Sequence, residues 1–222
     1  MFIGVGNPIP RIANLPGASR PGSGGGGGGG GLAQLDNLYS FEFDGVGAYF
    51  DIGQIDITGT KSISFWVYPA ASGDNGALFT MVPSGGTSDF LSVALWQSNI
   101  QALTAVGVKQ RSLQTISINT WYHVVVVKAT NSITNIYIDG VDQTLDTGGG
   151  WNGTPANPQS KIAEATFGAD YNFTGKIDEV GIFNAALTAT DVQNIYNATT
   201  TGKTADLSAL STPPIAWYRM GD

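Results

Sequence analysis

Cysteine is absent from these 222 residues, histidine occurs once, and only 12% of the chain is charged. Without thiols there are neither disulfides nor thiolate metal sites, so any metal must be an oxygen-ligated hard cation, calcium foremost. A net charge of -7 repels phosphate backbones and leaves no basic patch, which argues against a nucleic-acid partner. Long hydrophobic runs are also missing. Nothing approaches the roughly 18 continuous apolar residues of a membrane span, so no membrane insertion is expected. The opening stretch, MFIGVGNPIPRIANLPG, has neither a basic n-region nor a long apolar h-region, and secretion by the general signal-peptide route is not supported.

Glycine, by contrast, is abundant, with 31 residues, of which Gly24 to Gly31 form an unbroken run. Together with prolines at 8, 10, 16 and 21, this makes residues 1–31 unable to build a core, because glycine loses the most conformational entropy on ordering and proline removes backbone donors. By composition the segment is a tail and linker. Yet Phe2, Ile3, Ile9, Ile12 and Leu15, with Arg11 and Arg20, are spaced among prolines as in an extended peptide laid into a partner's groove. The reading is a docking peptide over 1–22 and a glycine-rich linker over 23–34.

From Leu35 the pattern becomes that of strands. Phe41 and Phe43 alternate with Glu42 and Asp44, and Ile63, Phe65 and Val67 alternate with Ser62, Ser64 and Trp66. Further strands are expected at 77–82, 90–96, 99–106, 111–118 and 175–183, separated by Gly, Ser, Asn and Asp clusters. The stretch WYHVVVVKATNSITNIYIDG (121–140) reads as a hairpin turning at Thr130-Asn131-Ser132. Its unbroken valine run, Val124 to Val127, requires cover on both faces. One segment breaks the pattern: in 186–198 Thr188 is a good N-cap, Asp191 completes a capping box, and Leu187 and Val192 occupy staple positions. This predicts an all-β, two-sheet antiparallel sandwich with one short C-terminal helix and an extended N-terminal arm.

In order, FDGVGAYFDIG, ISFWVYP, the valine hairpin and GKIDEVGIFNAALTATDVQNIY resemble the concanavalin A-like, laminin G-type jelly-roll family over about residues 40–198. The resemblance implies a jelly roll at 35–198. The phrase GVGNPIPRIANLPGASRPG is similar to the N-terminal segment of structural proteins of marine tailed phages, which implies attachment to a virion. The end, PPIAWYRMGD, looks like the first strand of a further laminin G-type unit, so 199–222 is read as linker plus that strand, the alternative being a closing strand of this domain.

The candidate sites follow. His123 must serve any nucleophile-base scheme, but its place in the valine strand makes it a hydrogen-bonded core imidazole. The glycanase pattern of this fold, ExDxxE, is absent: Asp178-Glu179 is preceded by Lys176 and followed by Gly181, and Glu164 with Asp170 has no recognisable spacing. No enzyme is expected. The family resemblance implies a structural calcium site joining Asp44 to Asp178 or Glu179, against the reading of Asp44 as a turn residue and Asp178-Glu179 as a bulge. For carbohydrate contact the candidates are Trp151, in GGGWNGTPANP, then Trp96 and Tyr171 near strand ends.

The function expected is a non-enzymatic virion structural protein. It would be held to other virion proteins by 1–22, displayed on the particle as a homo-oligomeric fibre, adhesin or decoration, and contact a host-surface glycan. The alternative is the carbohydrate-binding module of a bacterial adhesin or glycanase.

Overall fold

The two-residue alternation of Lys61–Pro69 gives one strand two unlike faces, and the rest of the chain supplies a different layer for each. The computed structural model describes residues 2–3, 11–14, 31–71, 76–82, 90–104, 109–129, 132–147, 160–166 and 170–220. In chain order the first strands are β1 (Phe2–Ile3), β2 (Arg11–Asn14), β3 (Gln34–Asp36), β4 (Tyr39–Asp44), β5 (Phe50–Gly53), β6 (Lys61–Pro69) and β7 (Gly76–Met81). Next come β8 (Leu91–Trp96), β9 (Asn99–Thr104), β10 (Lys109–Thr115), β11 (Tyr122–Ala129), β12 (Ser132–Ile138), β13 (Val141–Asp142) and β14 (Leu145–Asp146). The last are β15 (Ser160–Ile162), β16 (Glu164–Thr166), β17 (Asp170–Asn172), β18 (Thr174–Phe183), β19 (Lys203–Ala205) and β20 (Ala216–Tyr218), with helix α1 (Ala189–Ala198) between β18 and β19.

Two antiparallel sheets form the jelly-roll sandwich. The first runs β1-β5-β15-β7-β8-β9-β10-β14 and the second β13-β12-β11-β6-β18-β4-β2, with β20 added beside β18. Between them lies a core that includes Phe43, Phe50, Phe65, Phe79, Val93 and Ile177, all buried.

The valine hairpin shows why its cover had to be double. Val124 and Val126 enter this inter-sheet core. Val125 and Val127 point the other way, into a second apolar layer made by α1 and the segments on either side of it, including Leu187, Val192, Ile195 and Leu207. The helix begins where its sequence says: the Thr188 hydroxyl accepts from the Asp191 N–H at 3.2 Å and the Asp191 carboxylate accepts from the Thr188 N–H at 3.0 Å. Leu187 and Val192 flank this cap in the same layer. Among the described residues no helix is long and apolar enough to cross a membrane.

The sandwich does not stop at residue 198. Lys203–Ala205 pairs with Gln34–Asp36, and Ala216–Tyr218 pairs with β18 through Val180↔Tyr218, Gly181↔Trp217 and Ile182↔Ala216. Ala216–Tyr218 thus takes the place of a closing strand, the alternative reading of the segment 199–222. Ala216 and Tyr218 pack on the inter-sheet core and Trp217 on the helical layer, so both faces of the strand have partners within this domain.

Of the N-terminal arm, Phe2–Ile3 pairs with β5 and Arg11–Asn14 with β4, each as an added edge strand. Ile9, Leu15 and Arg20, named with them as docking residues, lie outside the described residues, as do Thr130 and Asn131 of the hairpin turn.

Candidate functional site

The outer face of the first sheet is built by alternation along β8. Leu91, Val93 and Leu95 enter the core, so Ser92, Ala94 and Trp96 face outward. Antiparallel register then carries a single row across five strands: Ala77↔Ala94, Ala94↔Gln101, Gln101↔Arg111 and Arg111↔Asp146. Two adjacent alanines leave a low apolar floor, and the half-buried rings of Trp96 and Tyr171 pack against it. The rings stand 6.4 Å apart at 57°, a tilted aromatic pair. Two aromatics distant in sequence are thus brought together at a surface, as a sugar-binding platform requires. Trp151, named beside them as a ligand contact, lies outside the described residues.

Next to this platform the face is polar and electrically balanced. Arg111 Nη2 donates to Asp146 Oδ2 at 2.6 Å. Lys161 donates to Glu164 at 2.9 Å while its ammonium sits 3.9 Å from the centroid of the Tyr49 ring. Gln101 is fully buried, and among the described residues neither its Oε1 nor its Nε2 has a hydrogen-bond partner; the Nε of Arg111 is also unmet. Sequence reasoning missed Gln101 and Arg111. Alternation in β9, where Ile100 and Ala102 enter the core, turns Gln101 outward, but only the strand register puts it opposite Arg111.

The proposed calcium ligands are not brought together. Asp44 pairs with Thr174, four residues before Asp178, which is about 13 Å along the strand. Its carboxylate accepts from the Val46 N–H at 3.0 Å, the hydrogen bond of a turn. Asp178 accepts from the Glu179 N–H at 2.8 Å, within a bulge where the register shifts and Glu179 has a φ of 52°. The Glu179 carboxylate accepts from Trp217 Nε1 at 2.8 Å and from Arg219 Nε at 3.4 Å. Among the described residues there is no group of three or more His, Asp or Glu side chains that could hold a metal ion. Glu164 lies opposite Asn172 in a two-stranded ladder and is bound by Lys161, and Asp170 pairs with Thr166 in the same ladder.

His123 is part of the scaffold. Its Nε2 lies 2.9 Å from Ser64 Oγ, and its ring is tilted against Trp66 at 5.3 Å and stacked near Tyr196 at 6.2 Å, beneath α1. The serine-imidazole pair is buried, so no substrate reaches it. Beside it, Asp139 accepts from the His123 N–H at 2.9 Å, yet burial outweighs that hydrogen bond and pushes the Asp139 carboxyl up to about 6. Gly140 follows with a φ of +79°, and a Cβ there would come within 3.3 Å of the Tyr196 ring.

Residues 44–193 match the model of the Concanavalin A-like lectin/glucanases superfamily, in its laminin G branch. Among solved structures, one similar chain is a Bacteroides ovatus ATCC 8483 protein assigned a carbohydrate-binding role, at 15% identity and a TM-score of 0.57, covering 86% of this chain and 53% of its own. Another is domain 4 of AbnA, a GH43 extracellular arabinanase from Geobacillus stearothermophilus, in complex with arabinotriose, at 20% identity and a TM-score of 0.56, covering 75% of this chain and 81% of its own. A third is the receptor-binding domain of botulinum neurotoxin type G, at 16% identity and a TM-score of 0.52, covering 76% of this chain and 45% of its own. The chain thus spans about half the length of the first of these, and at such identities the likeness is one of fold. The comparison with curated proteins gave no match.

Proposed function

Because the chain belongs to the concanavalin A-like lectin/glucanases superfamily, we propose that it is a non-catalytic carbohydrate-binding module whose binding face is the outer face of the first sheet. The observation that carries this is the Trp96–Tyr171 pair on the floor of Ala77 and Ala94. A sugar ring has an apolar C–H face and a hydroxyl-bearing edge, so it stacks on such rings while neighbouring polar groups take its hydroxyls. The similar folds named as carbohydrate-binding and as an arabinotriose complex support the reading by analogy. Binding without hydrolysis agrees with the engagement of the carboxylates: Glu164 is bound by Lys161 and Glu179 by Trp217.

The test is a glycan array and calorimetric titration of the whole chain, with arabinotriose among the probes. Trp96→Ala and Tyr171→Ala should each weaken binding by about tenfold or more, since an aromatic contact contributes roughly 1 kcal/mol beyond area burial. Unchanged binding by both variants removes the site.

A second reading adds display on a virion, where 1–22 fastens a homo-oligomer to other particle proteins. Its support is the similarity of that segment to phage structural proteins and the edge-strand placement of Phe2–Ile3 and Arg11–Asn14, a geometry by which the same strands would add to a neighbour's sheet. Deleting 1–22 should abolish incorporation into particles and leave a folded module; normal incorporation rejects the docking role.

A further inference from the structure

We infer that the N-terminal arm is exchanged between copies: its two edge strands complete the sandwich of a second copy of this chain, and that copy's arm completes this one. The inference goes beyond the carbohydrate-binding reading and does not depend on it. To the homo-oligomer of the virion reading it gives a contact surface.

The acceptor is built by the fold. Without the arm, the first sheet would end at β5 and the second at β4. These two ends lie on the same side of the sandwich, since the rings of Phe41 on β4 and Phe50 on β5 are 4.4 Å apart. Phe41, Ile52 and Ile55 are only partly buried there. At the opposite end of the sheet order the chain closes the gap itself: Val141–Asp142 pairs with β12 of the second sheet, and Leu145–Asp146, just after it, with β10 of the first. The arm does the same on the open side, with Phe2–Ile3 on β5 and Arg11–Asn14 on β4. Residues 4–10 are enough chain for the roughly 10 Å between packed sheets. Two unpaired edges side by side would otherwise form a surface that draws in another strand.

Whose arm sits there is decided by the length of chain behind it. Asn14 lies opposite Tyr39, and residues 34–39 then put it within about 25 Å of Gln34. A short connection would serve that distance. Residues 15–33 instead reach about 60 Å when extended, beyond the roughly 40 Å across a domain of this size. The surplus spans to a neighbour's edges, and it also lowers the effective concentration with which an arm meets its own domain. Exchanged strands make the same ladders as strands kept at home, so no contact is lost, and two copies that trade arms form a closed pair.

The absence of cysteine makes the test direct. Arg11 and Glu42 are opposed in the β2–β4 ladder, and opposed residues stand about 5 Å apart, within reach of a disulfide. The whole chain carrying both Arg11→Cys and Glu42→Cys is oxidised and run on a non-reducing denaturing gel. The expected product is a disulfide-linked dimer of twice the monomer mass. A monomer with both thiols consumed overturns the inference, because the arm then pairs with its own domain. Thiols that stay free overturn it too, because the arm is then not on β4.

Sedimentation equilibrium of chains without added cysteines is the second measurement. The unsubstituted chain should be dimeric and the Ile12→Pro, Ala13→Pro double variant monomeric, since proline cannot donate to a ladder and alternate N–H groups of an edge strand face its partner. A monomeric unsubstituted chain, or a dimer that the prolines leave intact, overturns the inference. Neither measurement uses a glycan or a particle, so failure here leaves the readings above to their own tests.

Discussion

Trp217 donates its indole N–H to the buried carboxylate of Glu179 across 2.8 Å, joining the last strand of the domain to the bulge of its central one. Glu179 is available because β18 bulges there, with a φ of 52°, and Arg219 Nε reaches the other carboxylate oxygen at 3.4 Å. β4 pairs with β18 only as far as Ile177, and β20 takes over the same strand from Val180. The bulge is the point of transfer between the two.

Removing the indole donor leaves one oxygen of a buried carboxylate unmet, and Trp217→Leu is therefore expected to destabilise the domain by roughly 1–3 kcal/mol. Urea unfolding checks this through a lower midpoint at unchanged slope. A change below about 0.5 kcal/mol would show that Arg219 alone satisfies the carboxylate.

Asp139 makes stability depend on pH in the direction opposite to a salt-bridged carboxylate. Its folded-state pKa is raised to about 6, mainly by burial, above the roughly 4 of an unfolded aspartate. The native state then takes up a proton before the unfolded state does. Stability rises as pH falls from about 6 to about 4, and the penalty is complete above that window. After discounting for solvent screening the effect is roughly 1 kcal/mol. Asp139→Asn keeps an acceptor for the His123 N–H, so the difference between variant and wild type, read from unfolding at pH 7 and pH 4.5, should shrink towards zero on acidification. A difference independent of pH rejects the assignment.

Chelation decides the calcium expectation. Asp178 and Glu179 are already engaged by protein donors, and Asp44 closes its own turn. A melt with and without EDTA should show the same midpoint. A fall on chelation would mean that calcium assembles these carboxylates into a site.

The parts of the fold that depend on near neighbours in the chain were legible in the sequence. The strand alternation of Lys61–Pro69, the capping box of Thr188 and Asp191 and the double cover required by Val124 to Val127 all follow from local periodicity and local hydrogen bonds. The role of Ala216–Tyr218 did not, because a three-residue strand carries no signal of which sheet it joins. Its partner, β18, becomes available only after a bulge has ended the pairing with β4.

The candidate site divides in the same way. Trp96 and Tyr171 could be named from composition and from their places near strand ends, since a large amphipathic ring at a loop is a contact residue by chemistry. That they share one platform, with Gln101 and Arg111 beside it, was decided by the tertiary structure alone. Periodicity determines which side of its own strand a residue takes. Which residues of other strands lie next to it is set by register and sheet order, and these depend on the packing of the whole sandwich.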